Sequence, residues 1–212
     1  MKERNITVTL DKAKEWFNSG NATLKEIALE AFDENELVCN YKDITTFKKA
    51  CEALGLNYDI ISIVTKDVAT FSKASSAMFK LNIIRKALNL GQDLHLTKDP
   101  ENSYIYYPYN PFVTKSSTYY KSEINSGKME VIGKIKTEGK EYNVLGGCAS
   151  YGGDAGLGYF DSNAGVGGAY ADVGFLGCAN EEIAQHFGKY FGMLITEAKY
   201  ADMIDVRLQM QR

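Results

Sequence analysis

An α+β fold follows from the order in which patterns appear along the chain: an N-terminal helical region, then an antiparallel sheet rich in tyrosine and glycine, then a long C-terminal helix. Three observations in the 212 residues predict it. Capping residues and glycine stops punctuate the first ninety positions. SYIYYPYNPFV, residues 103–113, has the composition of extended backbone. An amphipathic stripe then begins after Asn180 and continues for many turns.

Thr9 is placed to cap a helix through Phe17 that Asn18-Ser19-Gly20 halts, and Thr23 with Glu26 forms a capping box for a second helix to about Phe32. Thr46 starts a third, FKKACEAL, which Gly55 can end in the left-handed conformation. Tyr58 to Val64 reads either as a short strand or as a buried linker, because periodicity does not decide. Asp67 reads as the N-cap of a longer helix to about Asn89, with Phe71, Ala74, Met78, Leu81, Ile84 and Leu88 on one face.

Asp99-Pro100 opens a turn, after which the texture becomes extended. Met129–Ile135 and Tyr142–Leu145, on either side of Glu138-Gly139-Lys140, predict a hairpin, while Gly158-Tyr159-Phe160 and Ala171–Leu176 are candidates for further strands. Asn180 caps a last helix of up to about 28 residues, with Ile183, Ala184, Phe187, Phe191, Leu194, Ile195 and Ala198 on its stripe. The shift in composition divides the chain into a helical region, 1–95, and a sheet with the terminal helix, 96–212, which can also close into one domain.

Apolar residues at 45% and charged residues at 24% suffice for an ordinary core. A net charge of −3 exerts no global pull on duplex nucleic acid or an anionic membrane. Cys39, Cys51, Cys148 and Cys178 contain no CxxC pair, and the first residues lack an apolar leader, so a reducing cytoplasm is expected. No run approaches the roughly 18 apolar residues that span a bilayer.

Eleven of the nineteen glycines fall within residues 146–177. No G-x-x-x-x-G-K-[ST] and no G-x-G-x-x-G occurs there, so the tract lacks the groups that hold phosphates in the usual nucleotide enzymes. The N-terminus at Asn180 is followed by Glu181 and Glu182, which occupy the place an anion would take. His95 and His186 lie far apart and show no zinc-like spacing. We therefore assign no metal ligand, no cofactor and no catalytic residue. An enzyme acting through Asp154, Asp161 or Cys178 is the remaining alternative.

Aromatic density is the positive signal. Tyr104, Tyr106, Tyr107, Tyr109 and Phe112, with Tyr159 and Tyr170 from the glycine tract, are candidate binding residues, set against the simpler reading that they cover a sheet face. Seven lysines against six acidic residues in 98–141 give single-stranded nucleic acid little attraction. Gly188 and Gly192, one turn apart in the terminal helix, predict close packing against a strand of the same chain or a second subunit.

ITVTLDKAKEWFNSGNATLKEIALEAFDENEL, TFKKACEALGL, KLNIIRKALNLGQ, YYPYNPF and GCANEEIAQHFGKYF together resemble an uncharacterised protein family encoded by phages and prophages of Bacteroides and related gut bacteria. Family members carry a more basic stretch where this chain has Phe175 to Asn180. The resemblance implies a phage origin; together with the absence of a catalytic constellation and the tyrosine- and glycine-rich strands, it leads us to expect a non-enzymatic protein that acts by assembly, as a minor virion or capsid-associated component, in the host cytoplasm and with the virion a possible further location. Expected partners are other phage or host proteins and further copies of itself, with no membrane and no duplex nucleic acid. The alternative is a small-ligand binder that sequesters a host defence nucleotide.

Overall fold

The computed structural model describes residues 7–19, 21–37, 40–90, 105–114, 118, 120–137, 139–152, 176–202 and 207–210. It is an α+β molecule. Helix α1 (Leu10–Asn18) begins where Thr9 accepts from the Lys12 amide, as its sequence predicts. Helix α2 (Ala22–Ala31) starts earlier than the Thr23–Glu26 pattern suggests: the Asn21 carboxamide accepts from both Thr23 and Leu24 amides and takes the cap itself. With α3 (Glu34–Leu37) these helices enclose a small cluster around Ala13, Ala28 and Leu37.

Thr46 caps α4 (Phe47–Ala53). Gly55, at φ +65°, ends it in a Schellman turn: Leu56 N–H donates to Cys51 O at 2.9 Å and Gly55 N–H to Glu52 O at 3.0 Å. Tyr58 to Val64 is neither strand nor linker. It forms the first half of α5 (Tyr58–Phe71), capped by Asn57 through the Asp59 and Ile60 amides. Asp67 is therefore inside α5, and the expected single helix to Asn89 is two helices.

Ser72 makes the break. It is extended, at φ −153°, and its hydroxyl accepts from the Ser75 amide to start α6 (Lys73–Leu88). Asp202, from beyond the terminal helix, accepts from Ser72 Oγ and from the Lys73 and Ala74 amides. The Ser72 hydrogen bond is the leading cause of a lowered Asp202 pKa.

Strand β1 (Ile105–Tyr109) turns at Asn110-Pro111 into β2 (Phe112–Thr114), and a short helix, α7 (Lys121–Asn125), precedes the hairpin. Strands β3 (Glu130–Thr137) and β4 (Lys140–Gly146) pair antiparallel, closing at Thr137 and Lys140 with Gly139 at φ +75°. Gly147 then turns β4 into β5 (Cys148–Gly152), which pairs with β1. Among the described residues the larger sheet runs β2-β4-β3-β6, its last strand being Arg207–Met210. The strand candidate Gly158–Phe160, and all of Ala171–Leu176 but its last residue, lie outside the described residues; Leu176 is buried and belongs to no strand.

Asn180 caps the terminal helix α8 (Glu181–Tyr200) as expected, but the helix stops at Tyr200 and the chain returns as β6. On one side α8 meets α6: Ile183, Phe187, Phe191 and Ile195 share a core with Leu81, Ile84, Leu88, Leu176 and Cys178. On the other, Met193 joins Ile135 and Val144 of the sheet. Each fully buried side chain of this size contributes roughly 1.5–3 kcal/mol, so α8 is the joint between the two halves.

Gly188 and Gly192 make this joint close. A Cβ at Gly192 would stand 2.4 Å from both Asn110 Nδ2 and Ile132 Cδ1, and one at Gly188 would stand 3.1 Å from Pro108 Cβ. The space is used by Asn110, whose amide donates to Leu145 O at 2.9 Å and Gly188 O at 3.0 Å. The two glycines thus admit the β1–β2 corner of the same chain.

Candidate functional site

Two surfaces stand out, and one is the outer face of α5. Its inner face is anchored by buried Thr65, whose carbonyl accepts from Ser76 Oγ of α6 at 2.6 Å. Leu56, 37% exposed, lies in the turn before the helix, and the outer face carries Ile60, Ile63, Val64 and Phe71, which are 59%, 60%, 40% and 92% exposed. At 100° per residue they fall on one stripe. Scattered exposed apolar residues are common, but four aligned on one helix form a patch that water solvates poorly.

The second surface is a cleft of about 590 Å³ where the helical half, α8 and the sheet meet. A 3₁₀ turn, Tyr41–Asp43, supplies Tyr41 and Lys42; Lys128 precedes β3; and α8 supplies His186, Lys189 and Tyr190. The His186 ring meets Tyr41 edge-on at 5.5 Å and lies tilted against Tyr190 at 4.6 Å. Its Nε2 donates to Ile44 O at 2.9 Å, because a carbonyl only accepts, and this leaves Nδ1 as the acceptor. Burial pushes the His186 pKa down, and Lys189 and Lys42 lower it further, against the opposing effect of the Ile44 bond.

The cleft's charges are mixed. Lys189 pairs with Glu130 at 3.4 Å, and Glu182 also lines the wall. Its size falls in the range of small-molecule sites.

The tyrosines singled out by sequence do not gather in this cleft. Tyr106 is half-buried against the main core and bridges Cys178 backbone to backbone. Tyr107 is half-buried, and Tyr109 is exposed with its hydroxyl 3.1 Å from that of Tyr120. Phe112 packs edge-on against Tyr142 and Tyr200. Tyr104, Tyr159 and Tyr170, and also Asp154 and Asp161, lie outside the described residues.

Cys178 does not have the environment of a nucleophile. Burial pushes its thiol up to about 12, and Sγ donates to Leu176 O at 3.3 Å. Among the described residues no group of three or more His, Cys, Asp or Glu could hold a metal ion, and no helix is long and apolar enough to cross a membrane.

Sequence reasoning passed over both surfaces. The signal for α5 was Asn57 ahead of apolar residues at 60, 63 and 64, a helical rather than an alternating spacing. The cleft combines residues from three distant segments, which no local pattern records. No protein-family model, curated protein or solved structure matches this chain.

Proposed function

We propose that this chain works by assembly, as a non-enzymatic phage protein and specifically a minor virion or capsid-associated component that reaches the particle from the host cytoplasm. The single observation that carries the assembly reading is the outer face of α5, where Ile60, Ile63 and Phe71 stand in water on an otherwise well-anchored helix. Such a face is stabilised when another protein covers it, since each Å² of apolar surface removed from water contributes about 25 cal/mol. The phage assignment is supported by the resemblance of the opening, YYPYNPF and GCANEEIAQHFGKYF segments. Mass spectrometry of purified particles tests it. The chain should be found in intact virions, and its absence from them removes the virion assignment.

A second reading is favoured by the cleft, where Lys42, Lys128 and Lys189 surround Tyr41, Tyr190 and a histidine with a free acceptor nitrogen. This combination suits a small phosphorylated aromatic ligand, consistent with sequestration of a nucleotide. A thermal-shift panel of linear and cyclic nucleotides checks it. A ligand at 100 times its dissociation constant adds about 2.7 kcal/mol of stability, and the shift should vanish in Lys42→Glu; no shift across the panel ends this reading.

A further inference from the structure

We propose that the cleft lined by Tyr41, His186 and Tyr190 is a seat for a tetrahedral oxyanion, a phosphate or sulfate group, and that the anion enters together with a proton taken up from water by His186. This rests on the ligand-binding reading of the cleft. It names the part of the ligand that is gripped and what regulates the grip.

The charges around His186 come from three elements. The 3₁₀ turn brings Lys42, the approach to β3 brings Lys128 and Glu130, and α8 brings Glu182 and Lys189. The β4–β5 turn contributes only Gly146 and Gly147, which carry neither side chain nor charge. Lys189 and Glu130 pair with each other at 3.4 Å. Lys42 and Lys128 make no ion pair among the described residues, and Glu182 is the other carboxylate in the lining. Positive charge is therefore left over.

His186 reports the sign of the field there. After burial, the charges that act on it are those of Lys189 and Lys42, which both disfavour its protonated form, and no carboxylate offsets them. An anion in the cleft cancels this repulsion, and imidazole is the side-chain type in this lining that gains a charge near neutral pH. The ring takes up the proton without moving. Its Nε2 donates to Ile44 O at 2.9 Å in either state, and Tyr41 and Tyr190 pack against it, so the new proton goes on Nδ1.

An anion that draws a proton onto His186 binds more tightly as pH falls, through the interval between the anion-free and the anion-bound titration midpoints of that residue. The anion-free midpoint lies below 6.5, which puts the rise in the mildly acid range. An opposite charge within about 4–6 Å moves a midpoint by roughly one unit or more, and one unit corresponds to about tenfold in affinity.

Isothermal titration calorimetry of the full chain with sodium sulfate, at constant ionic strength and from about pH 7.5 down to about pH 5, tests the coupling. Sulfate is the probe because it keeps its own charge across the range. Its affinity should rise roughly tenfold, and titrations in buffers of different ionisation enthalpy should show proton uptake on binding. His186→Gln, which keeps a donor for Ile44 O, should bind with an affinity that does not change with pH. Lys42→Gln is a second check that leaves the imidazole in place. It should weaken sulfate binding at every pH and raise the His186 midpoint of the sulfate-free protein, read from the imidazole NMR signals.

Constant affinity across the range, or a pH dependence that survives in His186→Gln, overturns the coupling and leaves the ligand-binding reading standing. No sulfate binding at any pH overturns the anion seat; nucleotides that still stabilise the wild-type chain and not Lys42→Glu would then keep the ligand-binding reading alone. At the alkaline end, adenosine monophosphate binding more tightly than inorganic phosphate supports a seat for the phosphate of a nucleotide. Equal affinities keep the seat and remove the nucleotide.

Discussion

Helices α5 and α8 start alike and end in opposite situations. Each is capped by an asparagine and each carries apolar residues at helical spacing. In α8 the apolar surface is covered by its own chain, by α6 on one side and the sheet on the other, and two glycines bring Asn110 into contact with the helix backbone. In α5 only the inner face is covered, and Phe71 is 92% exposed. Amphipathic spacing thus says that a face is to be buried and leaves open which molecule buries it.

The largest effect expected from breaking this contrast is in α8. Phe187→Ala opens a cavity in the core shared with α6 and should cost about 3–5 kcal/mol, measured by urea unfolding. Gly192→Ala comes next. The added methyl meets Asn110 Nδ2 and Ile132 Cδ1 at 2.4 Å, and overpacking of this kind costs about 1–3 kcal/mol, which equals or exceeds the ~1 kcal/mol that alanine gains over glycine in a helix. Gly188→Ala, with its nearest neighbour at 3.1 Å, should be milder; the order of the two midpoints sharpens the account of the joint.

On α5 the expectation reverses. Phe71→Ser should change the unfolding free energy of the isolated chain by no more than about 0.5 kcal/mol, because Phe71 is 92% exposed. A smaller effect attends His186. Its pKa is depressed in the fold, so as pH falls through 6.5 the unfolded chain takes up the proton first, and stability declines until the depressed folded value is passed. Thermal unfolding between pH 8 and pH 5, roughly the range in which histidine titrates, should show this slope, and His186→Gln should flatten it.

Much of the helical punctuation was legible because it is local. Thr9, Thr46 and Asn180 each cap through an amide within three residues, and Gly55 ends α4 through its own φ. What was not legible depends on distant partners. Ser72, rather than Asp67, divides α5 from α6, and it does so with Asp202, which lies 130 positions away. The β-branched run Ile60-Ile61-Ser62-Ile63-Val64 hid a helix whose cap, Asn57, decides the matter. Tyr106 and Phe112 were conspicuous as candidate binding residues; Tyr106 packs against the main core, while Phe112 stays 45% exposed with edge-on contacts to Tyr142 and Tyr200. Lys42, Lys128 and Tyr190 converge only through the meeting of α8 with the sheet.

The most direct test is urea unfolding of Phe187→Ala set beside Phe71→Ser. The account predicts a loss of about 3–5 kcal/mol for the first and no more than about 0.5 kcal/mol for the second, because Phe187 is fully buried and Phe71 is 92% exposed. Equal losses for the two variants would contradict it.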